Sequence, residues 1–491
     1  MTDQNVSSQP VTNRWVVAIM GTLLQLCLGT VYAWSYFQKP LCETYGWSNT
    51  QVAWAFSTAI CFLGLAAAWG GINLAKIGPK KLAMGGGFLF GVGYLLGALA
   101  LHTQSLVLLY VGYGMIGGSG LGLGYVTPVA TAAKWFPDKK GFITGMVIMG
   151  FGLGALLMSK FFAPILMDYT NKNLVQVFAY LGVIFLILTI PIGSFIVNPP
   201  AGYVPAGYTP PPAAVNASGE TIEEVIHPTM TYIASGKFLM MWLIFFCNIT
   251  AGIILIGFQS PLLQDLYIKN YPEYSEVKIL REKEKQEKLL SATPIANTTA
   301  QGASDTSVVA AQPTAQPMTQ EEKDRLANLV KTLAAFGATL IGITSLFNGI
   351  GRFFWGGLSD KIGRIQAFRA LMGTQVFVFI ALVYVNNPWL FGLLFCYILL
   401  CYGGGFGTMP SFVLDVYGAK LMATVYGVIL TAWSMGGIAG PQVAALIKDK
   451  FPANATEYTF YAASAILAIG FLVSLTLSNE KFAIAKPATT A

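Results

Sequence analysis

Charge is what this sequence has least of. Only 10% of its 491 residues are Asp, Glu, Lys or Arg, against about 25% in a soluble domain. That shortage excludes an ordinary water-soluble fold. Histidine is nearly missing as well: His102 sits at the end of an apolar run and His227 in a polar linker. No histidine-based catalytic or metal cluster follows, so neither an enzyme nor a metal or other cofactor is expected. Five of the six cysteines (Cys27, Cys61, Cys247, Cys396, Cys401) lie in apolar runs and Cys42 stands alone in a short loop. That is neither a disulfide framework nor a metal-ligand spacing. No cleavable signal peptide is read at the N-terminus, where a polar stretch leads to an apolar run after Arg14. The net charge of +7 does not suggest a nucleic-acid partner, because the basic residues are scattered between apolar runs.

What is abundant is apolar. The chain is 55% hydrophobic with a mean hydropathy of +0.60 and 53 glycines. Twelve apolar runs follow one another: 15–37, 51–73, 82–101, 106–129, 141–166, 175–197, 237–262, 333–357, 367–386, 389–413, 422–447 and 459–478. Each is close to the roughly 20 residues a membrane helix needs. The expected fold is an all-α polytopic membrane protein with twelve transmembrane helices in a lipid bilayer. GGSGLGLG (117–124) has no strand before it and lies in a span, so it reads as close helix packing rather than a phosphate loop.

Two connections are long. Residues 198–236 are proline-rich and read as a linker between two six-helix halves, 1–197 and 237–491. Residues 263–332 form an insertion that starts with a charged, helix-prone piece, EVKILREKEKQEKLL. It continues as an Ala/Thr/Gln/Pro-rich stretch whose composition reads as disordered. Thr319 is the expected N-cap of the next helix, with Glu322 three residues later. Short segments on the N-terminal side of the membrane carry fourteen Lys and Arg, and those on the other side five. The positive-inside rule then makes both termini cytoplasmic, in a plasma or inner cell membrane, with the insertion outside.

The halves repeat. GINLAKIGPKK (71–81) follows span two and GGLSDKIGR (356–364) follows span eight. A parallel repeat of six-span halves marks carriers that bind substrate between the halves near mid-membrane. The second copy, with Gly356, Asp360, Lys361, Gly363 and Arg364, resembles the loop motif of the major facilitator superfamily and is its candidate gating motif. In the first copy Ala75 stands where an acid is usual. GTVYAWSYFQKPL (29–41), GWSNTQVAWAFS (46–57), GLGYVTPVATAAKWFPDKKG (122–141), NGIGRFFWGGLSD (348–360) and YGGGFGTMPSF (402–412) narrow the resemblance. As an ordered set they look like the oxalate/formate antiporter family of that superfamily.

Arg352 is the most telling residue. It lies eight residues before Asp360, about 12 Å into a hydrocarbon core about 30 Å thick. Facing lipid there would cost about 2.5–3.5 kcal/mol on insertion scales. No Asp or Glu lies in the middle of a span; Asp265 sits at the outer end of span seven and Asp360 and Asp415 at inner ends. An unpaired cation at that depth makes an anion site, and a guanidinium fork matches a carboxylate. The alternative is a structural tie to backbone carbonyls or to Asp265. Asn348, one turn away, either helps the substrate or glues helices. Tyr32, Tyr125 and Tyr402 are candidate pocket hydroxyls, with ordinary packing as the alternative.

The resemblance implies that the span-eight arginine, matched by Arg352, binds substrate. It also implies a lysine in span eleven, where this sequence has Trp433 in YGVILTAWSMGGIAGP (426–441). One cation suits one carboxylate, because a dianion would leave a buried charge unpaired. The expected substrate is a monocarboxylate such as lactate, pyruvate or formate, with Trp433 as an apolar wall or as simple packing. Asp265 is the only local candidate to carry a coupling proton; otherwise the carrier exchanges anions. Other readings are an oxalate/formate exchanger, a carrier of another solute, or a receptor with a transporter fold. A monomer is expected.

Overall fold

The computed structural model describes residues 13–200, 202–209, 229–292, 317–418 and 421–477. Most of the proline-rich linker, the 293–316 stretch expected to be disordered and both chain termini lie outside the described residues. Twelve helices are long and apolar enough to cross a membrane. They are Arg14–Tyr45, Asn49–Ile77, Pro79–His102, Leu106–Trp135, Phe142–Tyr169 and Leu174–Gly193 (spans 1–6). Spans 7–12 are Gly236–Asn270, Gln320–Ile362, Arg364–Tyr384, Pro388–Tyr417, Thr424–Lys450 and Ala455–Leu475. Among the described residues there is no strand. A membrane imposes this outcome, because helices satisfy their own backbone where water is absent.

The packing repeats as the sequence does. Span 1 packs on span 5, span 2 on span 4 and span 3 on span 6; spans 7 on 11, 8 on 10 and 9 on 12 are the matching pairs. The halves meet where span 2 packs on span 11 and span 5 on span 8. The loop motifs are also copies in their backbone. Gly78 has φ 89° and ψ 150°, and Gly363 has φ 91° and ψ 149°. Only glycine occupies that region without strain.

In the second motif Arg364 pairs with Asp360 (2.6 Å) and with Asp415 of span 10 (2.9 Å), and donates to Ser359 (2.6 Å). All these partners lie in the C-terminal half. They lock the turn between spans 8 and 9 onto span 10.

Helices outrun the apolar runs at the opposite end. Span 7 continues to Asn270 and span 8 starts at Gln320, although their apolar runs stop at 262 and start at 333. Thr319 and Glu322 form the capping box. Between them an insertion helix spans Pro272–Ala292. It pairs with the start of span 8 through Lys283–Glu322 (2.6 Å), Lys323–Glu287 (2.8 Å) and Arg325–Glu276 (2.8 Å). Ile268, Val277, Leu280 and Leu326 give this hairpin a small core of its own. Hydropathy marks where a helix meets lipid, not where its backbone bonds end, so the apolar run ended span 7 too early, while the Thr319 cap signal placed the start of span 8 correctly.

Replacing Gly363 or Gly78 with Ala forces a Cβ into a conformation that costs about 1–3 kcal/mol. Each single variant is expected to melt at a lower temperature than the parent in detergent. An unchanged melting point would mean that the turns relax freely.

Candidate functional site

Arg352 is 1% exposed, on span 8 at the seam between the halves. Span 5 comes close to it because both sides of the crossing are glycine. A Cβ on Gly152 would lie 2.8 Å from Gly349 Cα and 3.2 Å from Arg352 Nε. The seam is tied by hydrogen bonds. The Ser345 hydroxyl donates to the Gly152 carbonyl (2.6 Å), and the Ser434 hydroxyl to the Cys61 carbonyl (2.6 Å).

The guanidinium has few partners. Its Nη1 donates to the Tyr125 hydroxyl at 3.5 Å, and its Cζ lies 4.9 Å from the Phe406 ring centroid. Nε and Nη2 have no hydrogen-bond partner. Among the described residues it forms no ion pair and bonds no backbone carbonyl, so the structural-tie alternative lacks its contacts. The two free donors belong to one edge of the guanidinium, the edge whose parallel N–H bonds fit a carboxylate.

Aromatic rings cluster beside the guanidinium, with Phe406 under its Cζ and the Tyr125 hydroxyl at its Nη1. The Tyr32 and Tyr402 hydroxyls hydrogen-bond to each other. Trp433 packs at 4.6 Å from Phe406, 5.0 Å from Tyr125, 5.5 Å from Phe151 and 6.2 Å from Tyr32, centroid to centroid. Trp433 Nε1 and the Tyr426 hydroxyl are buried without a hydrogen-bond partner. Span 11 breaks at Leu430, between its segments Met422–Ile429 and Thr431–Lys450, just before Trp433. Thus Arg352, Tyr32, Tyr125, Tyr402 and Trp433 come together from spans 8, 1, 4, 10 and 11. Asn348 lies one turn from Arg352, its Oδ1 unpartnered. It lines a void of about 10 Å³ with Tyr32, Gly152, Gln259 and Thr344. That is room for about one water, so the site is closed in this state.

Three members of the cage were not singled out from the sequence. Phe151 and Phe406 carry no polar atom and look like any packing phenylalanine. Tyr426 had the same signal as the other tyrosines.

Asp265 is not part of this cluster. Its carboxylate lies 3.0 Å from Lys448 of span 11 and 3.6 Å from Lys39 of span 1. Lys39 also donates to Gln264 (3.0 Å). No group of three or more His, Cys, Asp or Glu suited to a metal occurs among the described residues.

The family model of the Major Facilitator Superfamily matches residues 15–276 and 326–441. The chain is 23% identical to the oxalate:formate antiporter of Oxalobacter formigenes, over 93% of this chain and 90% of that protein. It is 26% identical to apicoplast pyruvate carrier 1 of Toxoplasma gondii, over 85% and 81%. Its fold is similar to the crystal structure of a bacterial homologue of the human lysosomal transporter Spinster, in an inward-facing and unoccupied conformation. That match has a TM-score of 0.58 at 15% identity and covers 96% of this chain and 99% of the other.

A buried cation with unmade hydrogen bonds costs stability. Replacing Arg352 with the apolar Met is therefore expected to raise the melting temperature in detergent, by a gain of about 1–3 kcal/mol. A lower melting temperature would mark Arg352 as a structural tie.

Proposed function

The chain belongs to the Major Facilitator Superfamily, and from that membership we propose that it carries a small monocarboxylate across the membrane by alternating access. It is a transporter and not an enzyme. Lactate, pyruvate and formate are the substrates of the right charge and size. The observation that carries this reading is the unpartnered Nε/Nη2 edge of Arg352 inside an aromatic cage. Among the described residues the cage holds no second cation; where the resembled family has a lysine, Trp433 fills the space between Tyr125 and Phe406. A carboxylate would take both free donors as charge-assisted bonds. A dianion would keep one charge buried and unpaired. A name that includes pyruvate in one relative, and oxalate and formate in another, supports the carboxylate class.

The substrate's carboxylate faces Arg352, the Tyr32 and Tyr402 hydroxyls can turn to it, and Trp433 covers its carbon chain. The two halves then rock about this point. Both termini lie in the cytoplasm by the lysine and arginine balance, and the carrier works as a monomer. Asp265, held between Lys448 and Lys39, is the candidate for proton coupling; without that role the carrier exchanges anions. A proton there would cancel the charge that holds Lys39 of one half and Lys448 of the other.

Labelled lactate uptake into proteoliposomes tests the site. Arg352→Gln should abolish it. Arg352→Lys should weaken it by about tenfold or more, because an ammonium cannot make the planar fork. Uptake unchanged in Arg352→Gln would overturn the reading. An inward proton gradient separates symport from exchange. In Asp265→Asn the gradient should no longer stimulate uptake while lactate exchange persists; stimulation that survives removes Asp265 from the coupling.

A further inference from the structure

The Asp265 end holds a cavity of about 330 Å³ between the insertion helix and the C-terminal half. Charged groups on its wall are Lys278 and Arg281 of the insertion helix, Asp265 and Lys269 of span 7, Lys448 of span 11 and Glu457 of span 12. Most of the remaining wall is apolar. Four cations thus face two acids. Lys269 is taken by Glu457 (3.4 Å). Lys278 forms no ion pair among the described residues. Arg281 pairs with Glu43 of span 1 (2.8 Å), and Lys448 holds Asp265 (3.0 Å).

Those last two cations stand beside the contacts that join the halves. Arg281–Glu43 connects the insertion helix to the N-terminal half. Asp265 connects Lys448 to Lys39 of that half at 3.6 Å. Both pairs are partly exposed: Glu43 is 51% and Asp265 41% accessible at the side chain. Ion pairs of that kind are weak, so an anion from solution can compete for their cations.

We propose that this cavity is a second carboxylate site. A small carboxylate bound between Arg281 and Lys448 draws them from Glu43 and Asp265, and this loosens the Asp265 end. The ligand class rests on the function proposed above. The chemistry fits: a guanidinium and an ammonium line one cavity, both bind carboxylates, and the cavity has the size small ligands use. Glu43 and Asp265 act as resident carboxylates that occupy the cations while no anion is there. The end stays shut over an empty mouth and opens when substrate waits in it.

Cys42 offers a native reporter. It is half-buried, three residues beyond Lys39 on the same helix, while Cys27, Cys247, Cys396 and Cys401 are buried. Maleimide labelling of Cys42 is measured on the full chain in detergent, with and without lactate, using Cys42→Ser to subtract other thiols. Lactate should speed labelling by about threefold, as loss of weak ion pairs allows. It should do so equally in Arg352→Gln, which lacks the central anchor. Arg281→Gln combined with Lys448→Gln should label fast without lactate and ignore it. No response in the wild type, or a response that disappears in Arg352→Gln, overturns the second site. A protein that transports lactate without the Arg352-independent response loses this site and keeps its function. One that shows the response without transporting lactate keeps the site and loses the function proposed above.

Discussion

A guanidinium held away from water with no acid beside it sets the terms for the rest of this molecule. Arg352 is 1% exposed, and its guanidinium makes one long hydrogen bond to Tyr125 and lies over the face of Phe406. A cation over a ring contributes about 0.5–2 kcal/mol, and two unmade donors cost more than that. The protein keeps this residue at the seam of its halves in spite of the cost. The neighbouring rings and the glycine seam keep water from the guanidinium, so on the proposed function an anion would meet donors that are already dry.

The same seam explains why substrate cannot simply diffuse in. The void beside Asn348 holds about 10 Å³, and Gly152 on Gly349 brings the halves almost backbone to backbone. What joins them is modest. Hydrogen bonds such as Ser345 to Gly152 and Ser434 to Cys61 cross the membrane part, and such bonds average about 0.6 kcal/mol in membranes. At the Asp265 end, partly exposed ion pairs do the same. Close packing with weak ties suits a machine that must separate its halves in every cycle. The loop between spans 8 and 9 differs: the Asp360–Arg364–Asp415 network stays inside one half and does not join it to the other.

Much of this could be read in the sequence because it follows from one-dimensional physics. Apolar runs must be spans, a repeated glycine motif must be a repeated turn, and an arginine within a span must face inward. Gly78 and Gly363 share one unusual backbone conformation, and Arg352 is buried between the halves. The rest depends on three dimensions. Phe406 and Phe151 become cage walls only through helix rotation that spacing does not give. Asp265 was read as an acid at the outer end of span 7, a possible tie to Arg352 or a carrier of the coupling proton. Its partners Lys39 and Lys448 lie 226 and 183 positions away, and only the fold brings them to one carboxylate. The insertion was legible as charged and helix-prone, and its capping box marked the start of span 8, but the extension of span 7 to Asn270 was not legible, because a helix that runs on into water leaves no hydropathy signal.

The central claim is that one cation facing Trp433 limits the site to one carboxylate. The most direct measurement is the ratio of oxalate to lactate uptake in the wild type and in Trp433→Lys. The account predicts a ratio well below one in the wild type and a rise of about tenfold or more when the second cation is supplied. Oxalate preferred by the unaltered protein would contradict it.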